Sequence, residues 1–133
     1  MIYSPTVRCL WTAAGDQIGN KLSGAGTIHS NAAQLIDLRE VCDLALYVSV
    51  AAATGTIPTL DVQVDVQDPS GNWFPQVVKT TQITTGPATQ TASVGLHIGA
   101  TGALVLPEYG RVTITLGGTT PAYTGVAITL YGR

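Results

Sequence analysis

The chain has 133 residues, of which 45% are hydrophobic and 11% are charged. A typical soluble domain is about 25% charged. This length suits one domain with one hydrophobic core, and the composition excludes a disordered chain, which would combine low hydrophobicity with high net charge. With a net charge of −2 and so few charged groups, the composition is more typical of a subunit covered by partners than of a solitary enzyme.

The charge distribution and the apolar runs argue against two classes of partner. The longest apolar run, around residues 44–53, falls far short of the ~20 residues of a membrane-spanning helix, so no membrane partner is expected. Residues 1–6 lack a basic segment followed by an apolar one, so no Sec-type export is expected. Clustered basic residues would indicate phosphate binding, but here they are scattered, and no nucleic-acid partner is expected: Arg8, Lys21, Arg39, Lys79, Arg111 and Arg133.

The first 30 residues differ from the rest because glycines at 15, 19, 24 and 26 interrupt any periodic pattern. We expect residues 1–30 to form either a partly extended arm that orders against a partner or an edge strand with a long loop. Residues 31–133 are then predicted to form a single β-sandwich domain.

Strand patterns dominate the remainder of the chain. Residues 60–67 alternate strictly between apolar and polar side chains, which predicts a strand with one buried face, and residues 68–72 predict a turn into a return strand that opens at Trp73 and Phe74. With no convincing helix and eight or nine strands, the fold class is all-β, a β-sandwich or jelly roll. The further candidate strands are 8–13, 34–39, 43–51, 77–84, 92–98, 103–106, 112–116 and 126–130.

A short internal repeat accompanies two of these strands. Gly55-Thr56-Ile57-Pro58 and Gly118-Thr119-Thr120-Pro121 share one offset of 63 residues. Each copy is predicted to be a loop between two strands, with glycine forming the corner and proline stiffening the loop. Either the two copies are equivalent hairpins of a pseudo-repeat, or they share only turn chemistry.

The residues that usually carry chemistry are few. His29 and His97 have no Cys, Asp or Glu at metal-binding spacing, so no metal and no cofactor are predicted. No Gly-x-Ser-x-Gly motif is present, and we expect no enzymatic activity. Cys9 and Cys42 lie in apolar strand-like segments and are expected to be buried free thiols rather than a disulfide.

Three aspartates, Asp61, Asp65 and Asp68, are close in sequence. On one strand face, Asp61 and Asp65 would lie about 13 Å apart, which is too far for a retaining glycosidase pair. They are interpreted as a solvated sheet face, and Asp68 as a turn residue.

The aromatic residues are interpreted mainly as core or interface anchors. The alternative is a row of rings that stacks sugars, as in a carbohydrate-binding module. The candidate interface residues are Trp11, Ile18, Leu22, Trp73, Phe74, Tyr109 and Tyr123.

Residues 44–133 resemble small structural proteins of tailed bacteriophages. The resemblance rests on the run Thr54–Val62 (TGTIPTLDV), on Gln67–Trp73 (QDPSGNW) and on Tyr109–Pro121 (YGRVTITLGGTTP). In those proteins a GTxPTLDV strand, a DG-x-W hairpin and a YxRV…GGTTP hairpin recur. Here Pro-Ser-Gly-Asn stands where Asp-Gly is commoner.

This resemblance implies a head decoration (cement) protein of the virion. Such a protein would be catalytically inert, bind the outer capsid surface, clamp neighbouring major capsid subunits and associate with itself, often as a trimer. It would be assembled in the host cytoplasm, and residues 1–30 would be its candidate arm across subunit boundaries. The alternatives are a tail or head–tail connector protein and, from another class, a carbohydrate-binding β-sandwich module.

Overall fold

The computed structural model describes residues 6–16, 18–30, 34–95 and 106–133. Within these ranges the chain forms ten β-strands and a short 3₁₀ turn, Ala13–Gly15. No helix among the described residues is long and apolar enough to cross a membrane. The strands are β1 (Arg8–Thr12), β2 (Lys21–Ser23), β3 (Gly26–His29), β4 (Ile36–Asp37), β5 (Asp43–Val50), β6 (Ala52–Gln67), β7 (Trp73–Lys79), β8 (Ala88–Gly95), β9 (Tyr109–Thr124) and β10 (Ala127–Gly132).

The strands form two antiparallel sheets. Sheet A has the order β1-β10-β5-β8, and sheet B has the order β2-β9-β6-β7, with β3 and β4 also pairing with β9. The pairs β1–β10, β2–β9, β5–β8 and β6–β7 make up an antiparallel ribbon that is rolled so that its successive pairs alternate between the sheets. This is the topology of a jelly roll and confirms the predicted fold class.

The hydrophobic core lies between the two sheets, and the alternation in the sequence defines which side chains enter it. In β6, Leu60, Val62 and Val64 are fully buried, while Asp61 and Gln63 point away from the core. The alternating segments 112–116 and 126–130 contribute in the same way. The largest fully buried side chains are Tyr123, Leu22, Leu38, Leu44, Leu46, Leu60, Ile114, Ile128, Leu130, Val50, Val62 and Val64.

The observed strands differ from the predicted ones in length. Of the candidate strand 34–39 only Ile36–Asp37 is a strand, and the candidate 77–84 ends at Lys79. β6 and β9 are each 16 residues long and pair with each other along nearly their whole length. The predicted strand 92–98 begins earlier, at Ala88, and its residues 96–98 lie outside the described residues, as do residues 103–105 of the candidate strand 103–106. β2 and β3 were not predicted, because both are short and are flanked by glycines.

The two Gly-Thr-x-Pro copies are not loops; they lie opposite one another inside the paired strands β6 and β9. Each copy forms a bulge in which the glycine has positive φ (Gly55 +113°, Gly118 +99°) and the residue two positions later is left-handed (Ile57 +50°, Thr120 +47°). The contacts are reciprocal, because a Cβ on Gly55 would lie 2.7 Å from the Thr120 carbonyl oxygen, and one on Gly118 would lie 2.4 Å from that of Ile57. The repeat therefore corresponds to a locally two-fold-related double bulge.

The described part of residues 1–30 supplies edge strands to both sheets. β1 pairs with β10 in sheet A, and β2 and β3 pair with β9 in sheet B. Ala13 and Leu22 are buried in the core, and Ser30 accepts a hydrogen bond from the Val112 amide (3.0 Å). Residues 1–5 lie outside the described residues.

Candidate functional site

The outer face of sheet A is nearly free of charge. The strand registers place the side chains of adjacent strands in rows across this face, such as Thr12, Thr129, Tyr47 and Thr91. At its described outward positions the only charged groups are Asp43 and Arg133, which form an ion pair at one end of the sheet (Arg133 Nε to Asp43 Oδ2, 3.1 Å). We call the remaining positions the uncharged face: Cys9, Thr12, Ala45, Tyr47, Ser49, Thr89, Thr91, Ser93, Ala127, Thr129 and Tyr131.

Tyr47 stands at the centre of the uncharged face. Its side chain is 51% exposed, and its ring meets Tyr131 edge-on at 5.5 Å with an interplanar angle of 88°. An open depression of about 570 Å³ lies on one side of Tyr47 and includes Tyr131 and Val7, and a second of about 350 Å³ lies on the other side and includes Ser49 and Thr91. Tyr47 therefore lines both depressions, whose walls are mostly apolar, and the first depression also includes the Asp43–Arg133 ion pair.

The outer face of sheet B, in contrast, carries several charged groups. Asp65, only 3% exposed, lies at the centre of a polar cluster there. Its Oδ2 accepts hydrogen bonds from Thr113 Oγ1 (2.6 Å) and Arg111 Nε (3.3 Å), and its Oδ1 accepts one from Gln63 Nε2 (2.8 Å). Arg111 also covers the ring of Trp73, with its Cζ 4.0 Å from the ring centroid. This cluster corrects the interpretation of Asp65 as a solvated residue.

Asp65 also stabilises the irregular pairing of β6 with β7 at the edge of sheet B. In the β6–β7 pairing, Asp65 lies opposite a bulge that contains Pro75 and Gln76, and Gln76 has a left-handed backbone (φ +61°). The Asp65 carboxylate accepts a hydrogen bond from the Gln76 amide (3.2 Å). Burial raises the pKa of Asp65, but the hydrogen bonds from Thr113, Gln63 and Gln76 outweigh burial, and the pKa lies below its ordinary value.

His29 joins the edge of this cluster through Thr113. Its Nδ1 lies 2.9 Å from Thr113 Oγ1. Because the single hydroxyl proton of Thr113 is donated to Asp65, His29 must be the donor, so its Nδ1 carries a proton. Burial and the nearby Arg111 lower the pKa of His29, with Asp65 opposing them. His97, the second histidine considered, lies outside the described residues.

The other two aspartates have structural partners. Asp61 contacts Lys79 Nζ (3.4 Å) and accepts a hydrogen bond from Gln82 (2.8 Å). Asp68 accepts hydrogen bonds from the amides of Ser70 and Asn72, which closes the predicted turn. Among the described residues, no group of three or more His, Cys, Asp or Glu could hold a metal ion.

The structure distributes the sequence-predicted interface residues over several places and does not bring them together. Leu22 and Tyr123 lie in the core, where the Tyr123 hydroxyl donates to the Ile83 carbonyl (2.8 Å). Trp11 and Ile18 pack against the core, and the Trp11 indole donates to Asp16 (2.9 Å). The rest lie on or near β7 and β9: Trp73 under Arg111, Tyr109 near Arg39, and Phe74, which is 52% exposed.

The cysteines are free thiols, but the expectation that they are buried is wrong, because Cys9 is exposed and Cys42 is only partly buried. The register of β1 against β10 shifts between Cys9 and Trp11. This bulge lets both Leu10 and Trp11 pack against the core and turns Cys9 outward beside Tyr131. A strictly alternating strand could not satisfy Leu10 and Trp11 together.

Sequence reasoning missed the uncharged face. Its signal lies in the outward positions of separate strands, such as Ala45, Tyr47 and Ser49 in β5 and Thr89, Thr91 and Ser93 in β8. Taken alone, each of these strands has the alternating pattern of an ordinary amphipathic strand. Only the sheet order joins them into one surface.

No protein-family model matches the chain, and no curated protein matches it. Among solved structures, the chain is similar to the CBM22-1 xylan-binding domain of Xyn10C from Paenibacillus barcinonensis. The sequence identity is 12%, the TM-score is 0.45, and the match covers 96% of this chain and 97% of that domain.

Proposed function

We propose that this chain is a non-enzymatic structural subunit of a virus particle. At the finer level, we propose a head decoration protein that binds the outer capsid surface and stabilises contacts between major capsid subunits. The observation that carries the proposal is the uncharged face. Protein interfaces are depleted of charged residues at their centre and enriched in aromatic residues. Tyr47 and Tyr131 are the aromatic residues of the uncharged face.

The opposite face suits solvent better than a partner. Docking through sheet B would cover Arg111, Lys79 and the Asp61 carboxylate, and removing such charges from water is costly unless the partner re-pairs them. Docking through sheet A covers hydroxyl, methyl and phenol groups, which lose little on leaving water when they are packed and hydrogen-bonded. The asymmetry between the two sheets therefore favours sheet A as the docking side.

The mechanism is stabilisation by linkage. A protein that binds only the assembled shell shifts the assembly equilibrium by RT ln(1 + [L]/Kd) at each site, about 2.7 kcal/mol when its free concentration is 100 times Kd. A capsid offers many equivalent sites, so a modest affinity at each site adds up to a large stabilisation of the assembled shell. This mechanism requires no chemical step.

Charging the uncharged face is expected to abolish capsid binding. The double variant Ser49→Lys/Thr129→Lys places two cations at the centre of sheet A, and burying them should weaken binding by about 100-fold or more. The measurement is co-sedimentation with expanded shells assembled from the major capsid protein of the genome that encodes the chain. The matched control is Ser23→Lys/Thr27→Lys, which adds the same charges to the outer face of sheet B and should bind as the wild type does. Wild-type protein that fails to co-sediment, or a Ser49/Thr129 variant that binds normally, would contradict the proposal.

The second candidate is a carbohydrate-binding module, and the exposed Tyr47 ring favours it. Hydroxyls of Ser49, Thr91 and Thr129 border this ring in the two depressions, as polar groups do in many small-molecule sites. Against this candidate, the Tyr47 and Tyr131 rings are perpendicular and do not form the planar row that a sugar platform would present.

A panel of neutral oligosaccharides, tested by calorimetry, separates the two candidates. Tryptophan fluorescence is a poor reporter here, because Trp11 packs against the core and Trp73 lies under Arg111. Binding that is lost in Tyr47→Ala, together with no affinity for capsid shells, would favour the carbohydrate module. The decoration proposal predicts no heat of binding with any of these sugars.

A further inference from the structure

Each sheet of the sandwich has two edge strands, and three of the four edges carry features that prevent pairing with another chain. β1 begins with Arg8 and contains the bulge at Leu10. β7 contains Pro75, the left-handed Gln76 and Lys79. The third protected edge, on the other side of sheet B, is formed by β2, β3 and β4, which are only three, four and two residues long. Short strands, charges, prolines and bulges are the usual protections of a sheet edge.

β8 is the exception. Its eight residues, Ala88–Gly95, pair with β5 in an unbroken register of eight partners, without a bulge. The strand contains no proline and no charged residue, and three of its side chains are Thr89, Thr91 and Ser93 on the uncharged face. No other strand among the described residues pairs with it. On its side away from β5, the backbone donors and acceptors of β8 have no strand partner within the described ranges.

We infer that this edge is a self-association site, where β8 of one copy pairs antiparallel with β8 of a second copy. A two-fold axis requires a strand that is complementary to itself. β8 meets this condition because it brings no charge opposite a like charge, and because the side chains that it places on the uncharged face, Thr89, Thr91 and Ser93, are small enough to pack against their own copies.

The pairing would join two sheets A into one continuous eight-stranded sheet with the order β1-β10-β5-β8-β8-β5-β10-β1. The two uncharged faces would then lie side by side, with Tyr47 of each copy one strand away from the junction. This arrangement predicts a dimer, in place of the trimer that the phage resemblance implies. It holds whether or not the uncharged face binds a capsid.

Light scattering of the purified chain across a dilution series tests the inference. The wild type is expected at twice 13.7 kDa, and the variant Thr89→Lys/Ser93→Lys should dimerise about 100-fold more weakly, because antiparallel pairing places lysines of the two copies next to each other. The control Ser49→Lys/Thr129→Lys charges the same sheet away from the edge and should remain a dimer. That control also keeps the two proposals apart, since it should lose capsid binding while retaining self-association.

Hydrogen exchange on the wild type provides a readout that does not depend on any variant folding. In a monomer, amides of β8 that point away from β5 would exchange rapidly, whereas pairing should protect the amides along the whole strand. Protection should decrease on dilution together with the dimer mass. A monomer at all concentrations, a trimer, a dimer unaffected by the two lysines, or a dimer with unprotected alternate β8 amides would each overturn the inference.

Discussion

Replacing Gly118 with alanine is expected to lower the free energy of unfolding by about 3–4 kcal/mol, as a left-handed backbone costs a side chain 1–2 kcal/mol and overpacking adds to it. The new Cβ would lie 2.4 Å from the Ile57 carbonyl oxygen and 2.8 Å from that of Thr56. These atoms belong to the paired strand, so they cannot move without opening the double bulge. Chemical denaturation followed by circular dichroism measures the loss.

The variant Gly24→Ala separates the cost of the left-handed backbone from the cost of the close contact with the partner strand. Gly24 also has positive φ (+83°), but nothing lies within 4 Å of the position its Cβ would occupy. Its substitution should therefore cost only the backbone strain, about 1–2 kcal/mol. Equal losses in the Gly24 and Gly118 variants would show that the close approach of the two strands contributes nothing.

The second large effect is expected at Asp65. Asn has the same shape as Asp but replaces one acceptor oxygen with a donor, and both Asp65 oxygens accept hydrogen bonds from donors that remain. Whichever way the amide turns, one of its N–H groups faces N–H or O–H groups, and Arg111 loses its ion-pair partner. Asp65→Asn should destabilise the protein by about 2–4 kcal/mol.

The stability difference between the wild type and Asp65→Asn should also depend on pH in a characteristic way. The pKa of Asp65 is lower in the folded protein than its ordinary value of 3.8. The carboxylate therefore contributes fully to the free energy of unfolding above pH 3.8, and this contribution is lost as the pH falls through the folded pKa. The gap between wild type and Asp65→Asn should therefore be constant near neutral pH and narrow below about pH 4. The matched control, Asp61→Asn, should cost less than about 1 kcal/mol, since its contact with Lys79 is partly exposed. Similar losses for both variants would contradict the assigned role of Asp65.

The sequence predicted which side chains face the core wherever alternation was strict. Residues 60–67 show this best, because every apolar position there is buried. Prediction failed where a bulge changes the period, as at Leu10 in β1 and at Gly55 in β6. A bulge is stabilised by contacts with the partner strand, such as the reciprocal approach of Gly55 and Gly118, and those contacts are not visible in either segment alone.

The candidate site was harder to predict than the fold. The sequence-based prediction chose Trp73 and Tyr123 as interface residues because they are aromatic. In the structure Trp73 lies under Arg111, and Tyr123 is buried in the core. The uncharged face is defined by the absence of charge at positions on four strands that are distant in sequence. Such a property appears only when the sheet order is known.

The place of β10 in sheet A has a consequence for how the protein is made. β10 is the last strand in the sequence, yet it lies between β1 and β5, so the first of these strands has no neighbour in its sheet until residues 127–132 are available. During synthesis, β1 and the edge of β5 that faces β10 stay unpaired until residues 127–132 have left the ribosome. Folding is then dominated by contacts between distant parts of the chain, which makes it slow and leaves strand edges open meanwhile. We therefore expect the chain to be most prone to aggregation before β10 is available to pair with β1 and β5.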